Sequence, residues 1–249
     1  MHNRERYFIQ TQGPNDAAFT LLIQKAIEIE NRVGTIERIV FVAHGLNNSG
    51  WLERQYGRDG VTKLKKGSQL PGSNVTAKFE SLKNYDTVEN EILITMGLRS
   101  DEILLLDDNL GIAAILALPW ASDDVDKWSR ICEATNVEVN VVAEPYDDPD
   151  CVITRALIDL TESINMTTGL SHSSDDNLAK TYLRALIKHN YTLPEPEIEA
   201  YLINNLDWMK ENASQLLSII NRINNGRSFQ GGDKTNLKYH IDRWRKECE

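Results

Sequence analysis

The sequence predicts an α/β protein: a Rossmann-like, mostly parallel sheet followed by an all-helical C-terminal module. Three observations carry that expectation. Strand-like and helix-like segments alternate as far as Val142, and alternation at this spacing builds a parallel sheet with helices on its faces. Ile36–Ala43 contains the continuous apolar run IVFVA, the pattern of a strand covered on both sides. Beyond the linker-like stretch Glu144–Asp150 (EPYDDPD), only helical periodicity remains. The expected division is an α/β domain over 1–145, with an irregular insert at 51–85, and a helical domain over 151–249.

Arg6–Gln10 (RYFIQ) has the aromatic and β-branched content of a strand, and the following TQGPN breaks it. From Asp16 to Arg32, Phe19, Leu22, Ile23, Ala26, Ile27 and Ile29 recur near a 3.6 period. Asn15 or Asp16 can cap that helix and Gly34 can end it. After the Ile36–Ala43 strand, Gly57, Gly60, Gly67 and Pro71-Gly72 suggest turns and hairpins. Ile92–Met96 and Ile112–Leu118 read as parallel strands joined by a helix within Leu98–Leu110. Ser122-Asp-Asp124 opens a helix that continues to about residue 135, and Val137–Val142 alternates as a last strand. Helices are then expected at Val152–Met166, Asp175–Lys188, Glu195–Leu206, Lys210–Asn225 and Thr235–Lys246.

The chain has 249 residues and a formal charge of −10, which argues against a nucleic-acid coat or a polybasic membrane binder. The charge is unevenly placed. Asp86–Asp150 holds 16 acidic residues against three basic ones, whereas residues 1–85 are net +4. Arg227–Lys246 carries six basic residues interleaved with Phe229, Tyr239 and Trp244. The acidic 86–150 face or the basic 227–249 tail can therefore dock a protein partner, and the tail can equally pack on the chain's own acidic half. The N-terminus MHNRERYFIQ has no apolar run of signal-peptide length, and no stretch is long enough to span a bilayer. The three cysteines, Cys132, Cys151 and Cys248, fit neither a metal pair nor a secreted disulfide framework, so a reducing cytoplasm is expected.

Ligands of open parallel sheets bind outside the carboxyl ends of the strands. That rule selects Thr11, Gln12, Gly13 and Asn15 after the first strand, where a helix N-terminus suits a phosphate or carboxylate. It selects His44, Gly45, Asn47 and Asn48 after the second, Gly97 after the third and Trp120 after the fourth. Amide groups supply donors and acceptors, and the indole of Trp120 supplies a stacking face. His44 is the acid/base candidate, with Glu144 as an orienting carboxylate. The expectation is a cytosolic protein binding a nucleotide-like or phosphorylated small molecule. The alternatives are a hydrolase or transferase using His44, and a non-catalytic interaction subunit of a bacterial multi-protein system.

Named motifs do not sharpen this. There is no G-x-x-x-x-G-K-S/T and no G-x-G-x-x-G after a strand, so no cofactor is indicated. His44-Gly45 has a superficial likeness to the oxyanion loop of α/β-hydrolases. The near match to the elbow such enzymes need, Gly169-Leu-Ser-His-Ser173, lacks its final glycine and sits between helices. No metal site is expected, because none of the acidic clusters has ligand spacing.

Overall fold

The computed structural model describes residues 4–249. The chain forms two compact units, the first ending at Pro145 and the second running Tyr146–Glu249.

The first unit is a mixed sheet with helices on both faces. Its strands are β1 (Glu5–Phe8), β2 (Arg38–Ala43), β3 (Ser68–Gln69), β4 (Thr76–Ser81), β5 (Glu91–Met96), β6 (Ile112–Leu118), β7 (Thr135–Asn136) and β8 (Val141–Val142). The order is β3-β4-β2-β5-β6-β1-β7-β8, parallel except for the two edge strands β3 and β8. The apolar run in β2 is central, paired on one side with β4 (Phe41 opposite Phe79) and on the other with β5 (Phe41 opposite Ile94). Strand alternation splits the core. Ile39, Phe41, Ile92, Ile94, Ala114 and Leu116 pack with α1 (Asp16–Val33) and α2 (Gly50–Lys66). Val40, Val42, Leu93, Ile115 and Ala117 point to the other face, which α3 (Ser100–Asp107) and α4 (Asp126–Ile131) cover through Ile103, Leu104, Trp128 and Ile131.

Two expectations for this unit are corrected. Residues 51–85 are not an irregular insert: they supply α2, the edge hairpin partner β3 and the parallel strand β4. Gly57 and Gly67 serve the helix, the first kinking it (φ 67°) and the second ending it, while Pro71-Gly72 turns the chain between β3 and β4 as expected. The expected strand Val137–Val142 is a two-residue hairpin arm, β8, folded back antiparallel on β7 with Asn140 at φ 52°.

A buried ionic knot ties α3 to the sheet. Asp107 ends α3 and accepts from the Arg4 and Arg6 guanidiniums of the first-strand segment, Arg6 at 2.9 Å, and from the Trp128 indole at 2.8 Å. Burial pushes the Asp107 carboxyl up, but the bonds from Arg6, the charges of Arg6 and Arg4, and the Trp128 N–H outweigh it and hold it below the ordinary carboxylate value. Cys132 lies beside the knot, and burial together with the Asp107 charge pushes its thiol well up.

The second unit holds α5 (Cys151–Ser163), α6 (Ser173–Lys188), α7 (Glu195–Asn205), α8 (Lys210–Asn224) and α9 (Leu237–Glu247) around Leu157, Leu183, Leu202, Leu216, Trp208 and Trp244. The α6 helix starts at Ser173, capped by His172 Nδ1. Both buried indoles have acceptors: Trp208 donates to Thr161 Oγ1 at 2.8 Å and Trp244 to Asp159 Oδ2 at 2.5 Å. The basic C-terminal stretch is thus not a free tail, because Leu237, Ile241 and Trp244 of α9 are core residues. Cys151 and Cys248 form a disulfide, which corrects the expectation of unpaired thiols and removes its support for a reducing compartment. No helix among the described residues is long and apolar enough to cross a membrane.

Two consequences can be measured. The Asp107 carboxyl titrates below its unfolded value of about 3.9. Its contribution is therefore complete above that value and is lost as pH falls through the folded one. Asp107→Asn leaves Arg4 buried without a full counter-charge and is expected to cost about 3–5 kcal/mol at neutral pH. It should also flatten the acid limb of stability, as urea unfolding at neutral and acidic pH would show. The disulfide closes a loop across 97 residues. Reduction or Cys248→Ser is expected to remove about 2–4 kcal/mol, seen as faster hydrogen exchange in α5 and α9 with reductant present.

Candidate functional site

Right-handed crossovers place helices by the direction the chain takes after each strand. After β2 the chain moves outward to β4 through α2 on one face. After β5 it moves the opposite way to β6 through α3 on the other face. The two connections therefore diverge at the adjacent carboxyl ends of β2 and β5. Such a divergence leaves a crevice, the usual ligand position in open α/β sheets. A cavity of about 600 Å³ occupies it, within the range of small-molecule sites.

Three loop systems line this cavity. His44 and Asn48 come from the loop after β2, and Trp51 and Arg54 from the first turn of α2. Gly97 and Arg99 follow β5, and Trp120 and Asp124 follow β6. The Trp51 ring is buried and meets Trp120 edge-on, with ring centres 5.2 Å apart and planes at 75°. Trp120 is 54% exposed, so one large apolar surface faces the opening. The buried indole N–H of Trp51 has no acceptor among the described residues. Backbone bonds hold the framework. Gly97 N–H donates to Leu118 O at 2.8 Å, and Gly13 N–H donates to Trp120 O at 2.7 Å.

Charge around the cavity is mixed. Arg54 pairs with Asp16 at 2.7 Å, and Arg99 stands 4.0 Å from Asp124 with most of its side chain in solvent. His44 Nδ1 lies 3.3 Å from Glu102 Oε1, and the imidazole is about half exposed. Glu102 also accepts from the Arg99 backbone N–H at 2.9 Å, so the carboxylate is fixed at the start of α3. A carboxylate beside one ring nitrogen orients the imidazole. Among the described residues there is no cluster of three or more His, Cys, Asp or Glu side chains that could hold a metal ion.

Of the residues singled out from sequence, His44, Asn48, Gly97 and Trp120 come together here. Others serve the framework. Gly45 accepts the Asn48 N–H at 2.9 Å in a tight turn, and Asn47 at its tip faces solvent. Thr11 is buried, Gln12 is exposed, and Gly13 reaches the site only through its backbone bond to Trp120. Asn15 is committed to capping α1: its Oδ1 accepts from Ala17 and Ala18 N–H at 3.1 Å. Those donors are therefore not free for a phosphate.

Glu144 is corrected. Because β8 runs antiparallel, the chain leaving it returns to the amino ends of the parallel strands. It also lies five strand spacings from β2, roughly 24 Å. Glu102, not Glu144, is the carboxylate beside His44.

Trp51, Arg54, Arg99 and Glu102 carry little sequence signal. The pair Trp51 and Arg54, three residues apart on one helical face, becomes legible only once α2 is known to begin at Gly50. Glu102 is recognisable as the third residue of a helix, where a side chain can accept the preceding backbone N–H.

Residues 149–245 match a domain of unknown function (DUF1889). No curated protein matches the chain, and neither does any solved structure. The match covers α5 to most of α9, and every residue lining the cavity at β2 and β5 lies outside it.

Gly97 sits between the two tryptophans at φ 66°. An added Cβ would lie 3.8 Å from the Trp51 ring and 3.9 Å from the Trp120 Cβ, both ordinary contacts. The cost of Gly97→Ala is therefore backbone strain, and a loss of about 1–2 kcal/mol in urea unfolding is expected.

Proposed function

We propose that the protein binds a nucleotide-like or otherwise phosphorylated small molecule in the crevice between the carboxyl ends of β2 and β5. The observation that carries this reading is the pairing, in one cavity, of the open Trp120 ring with the Arg54 and Arg99 guanidiniums. A flat ring stacked on an indole gains about 1–3 kcal/mol, and guanidinium groups suit phosphate oxygens through paired N–H donors. The edge-on contact from Trp51 holds the Trp120 ring in place before a ligand arrives, which lowers the entropy lost on binding.

The His44–Glu102 pair favours a second reading, a hydrolase or transferase acting on such a ligand with His44 as acid/base. In that reading Glu102 orients the ring and His44, half exposed at the cavity, meets the bound molecule. The site itself is compatible with a cytoplasmic protein, where phosphorylated metabolites are abundant.

A thermal-unfolding panel of nucleotides, nucleosides and sugar phosphates tests the proposal. A phosphorylated compound held at a hundred times its Kd is expected to stabilise the protein by about 2.7 kcal/mol. Trp120→Ala and Arg99→Ala should each abolish most of that shift. Arg99→Ala should leave the unliganded midpoint nearly unchanged, because its side chain is mostly in solvent, whereas Trp120→Ala should lower it modestly by removing the edge-on contact with Trp51. A panel with no stabilising phosphorylated compound sinks the proposal. Turnover lost in His44→Ala with ligand stabilisation retained would establish the enzymatic reading; retained turnover would remove it.

A further inference from the structure

The second unit carries a cavity that the reading above does not use. It measures about 540 Å³ and opens between α6, the end of α8 and the loop that leads into α9. Its wall bears four cations, Arg184, Lys188, Arg227 and Lys234, and no lining residue is acidic. Its apolar surface includes Phe229 and Leu237. In a chain with a formal charge of −10, this is a local concentration of positive charge over an apolar floor.

The wall is a built structure. Arg184 donates from Nε to Gly231 O and from Nη2 to Phe229 O, both at 2.8 Å, and its guanidinium covers one face of the Phe229 ring at 4.3 Å. Gly232 N–H donates to Asn177 Oδ1 at 2.7 Å, and Asp233 N–H to Thr181 Oγ1 at 2.8 Å. Gly232 approaches α6 so closely that a Cβ there would lie 2.9 Å from the Lys180 backbone. The loop is thereby held against α6 by the chain's own hydrogen bonds. Arg184 is spent on the loop. Lys188, Arg227 and Lys234 form no ion pair with a carboxylate among the described residues, so their charge is available to a ligand.

We propose that this cavity binds a small amphipathic anion, a carboxylate or phosphate head on an apolar body. The volume fits a small molecule, the exposed cations match one or two negative charges, and the Phe229–Leu237 floor takes the apolar part. A strand of nucleic acid fits less well, because Arg184 already occupies the face of Phe229 on which a base would stack.

The full-length protein can be titrated with 8-anilinonaphthalene-1-sulfonate, followed by fluorescence, and the bound probe then competed with decanoate, decyl phosphate and decanol. Saturable binding is expected, displaced by the two anions at least tenfold more effectively than by the alcohol. Lys188→Ala, Arg227→Ala and Lys234→Ala should each weaken the probe about three- to tenfold. Trp120→Ala should leave binding unchanged, separating this site from the crevice in the first unit. Equal displacement by decanol, or wild-type affinity in all three lysine and arginine variants, overturns the proposal. Stronger displacement by anionic phospholipid vesicles or by a single-stranded oligonucleotide than by decanoate also overturns it, in favour of a membrane or nucleic-acid surface.

Discussion

A single buried carboxylate sets the geometry on which the first unit's crevice depends. Asp107 stands at the end of α3, takes donors from Arg4, Arg6 and Trp128, and so joins the first strand, α3 and α4 at one point. The other end of the helix is latched as well. Ser100 Oγ donates to Asp124 O at 2.9 Å and accepts Trp128 N–H at 3.0 Å. Seven residues separate the two latches, a rod of roughly 10 Å. Arg99 and Glu102 project from its beginning, so their positions at the crevice follow from a charge buried at its end. An apolar replacement of such a knot often holds a fold equally well. What the ions add is direction, because a carboxylate accepting from three donors tolerates one placement of α3.

The crevice itself follows from chain direction. Where β2 and β5 lie side by side, one connection turns outward to α2 and the other to α3, and no backbone closes the gap between them. Two tryptophans partly fill it. Trp51 is buried beneath, and Trp120 stands on it with its free face outward. Gly97 permits this contact, since its left-handed backbone turns the chain away and its missing side chain leaves both rings in reach. An orphan indole N–H beneath the opening costs about 1–3 kcal/mol.

The alternation of elements was legible because apolar periodicity is a local property. The central strands read directly, and so did the five C-terminal helices, whose buried stripes repeat at 3.6 residues. The segment 51–85 was not legible for a physical reason. The kink at Gly57 resets the period of α2, so Trp51 and Leu52 fall out of phase with Val61 and Leu64. In β4, TAKFES has only Ala77 and Phe79 as apolar residues and buries the polar Glu80 and Ser81 beside them, so hydrophobic pattern alone marks it weakly. The site was half legible. Strand-end position found His44, Asn48, Gly97 and Trp120. It also selected Glu144, because strand direction at β8 cannot be read from local pattern. The Cys151–Cys248 pairing was equally out of reach, since spacing says nothing of the 6.0 Å between two Cα atoms nearly a hundred residues apart.

The uneven charge of the sequence has a structural answer within the first unit. The positive start and the acidic middle are neighbours in the sheet, not separate faces. Arg4 and Arg6 pair with Asp107, and Arg38 bonds Glu91 at 2.6 Å. Glu91 is fully buried there and accepts from Tyr85 as well. Other acids in the segment act on backbone: Glu102 and Asp124 each accept an N–H at a helix start, at 2.9 and 2.8 Å. Glu91, Glu102, Asp107 and Asp124 are thus engaged inside the unit, while most other acids of the stretch are exposed. Its most buried members neutralise arginines that precede them by tens of residues, and this pairing favours the strand order in which β2 lies beside β5 and β1 beside β6. Charge segregated along the chain becomes charge compensation across the sheet. The crevice between β2 and β5, with Arg54 and Arg99 at its walls, remains where mixed charge meets solvent.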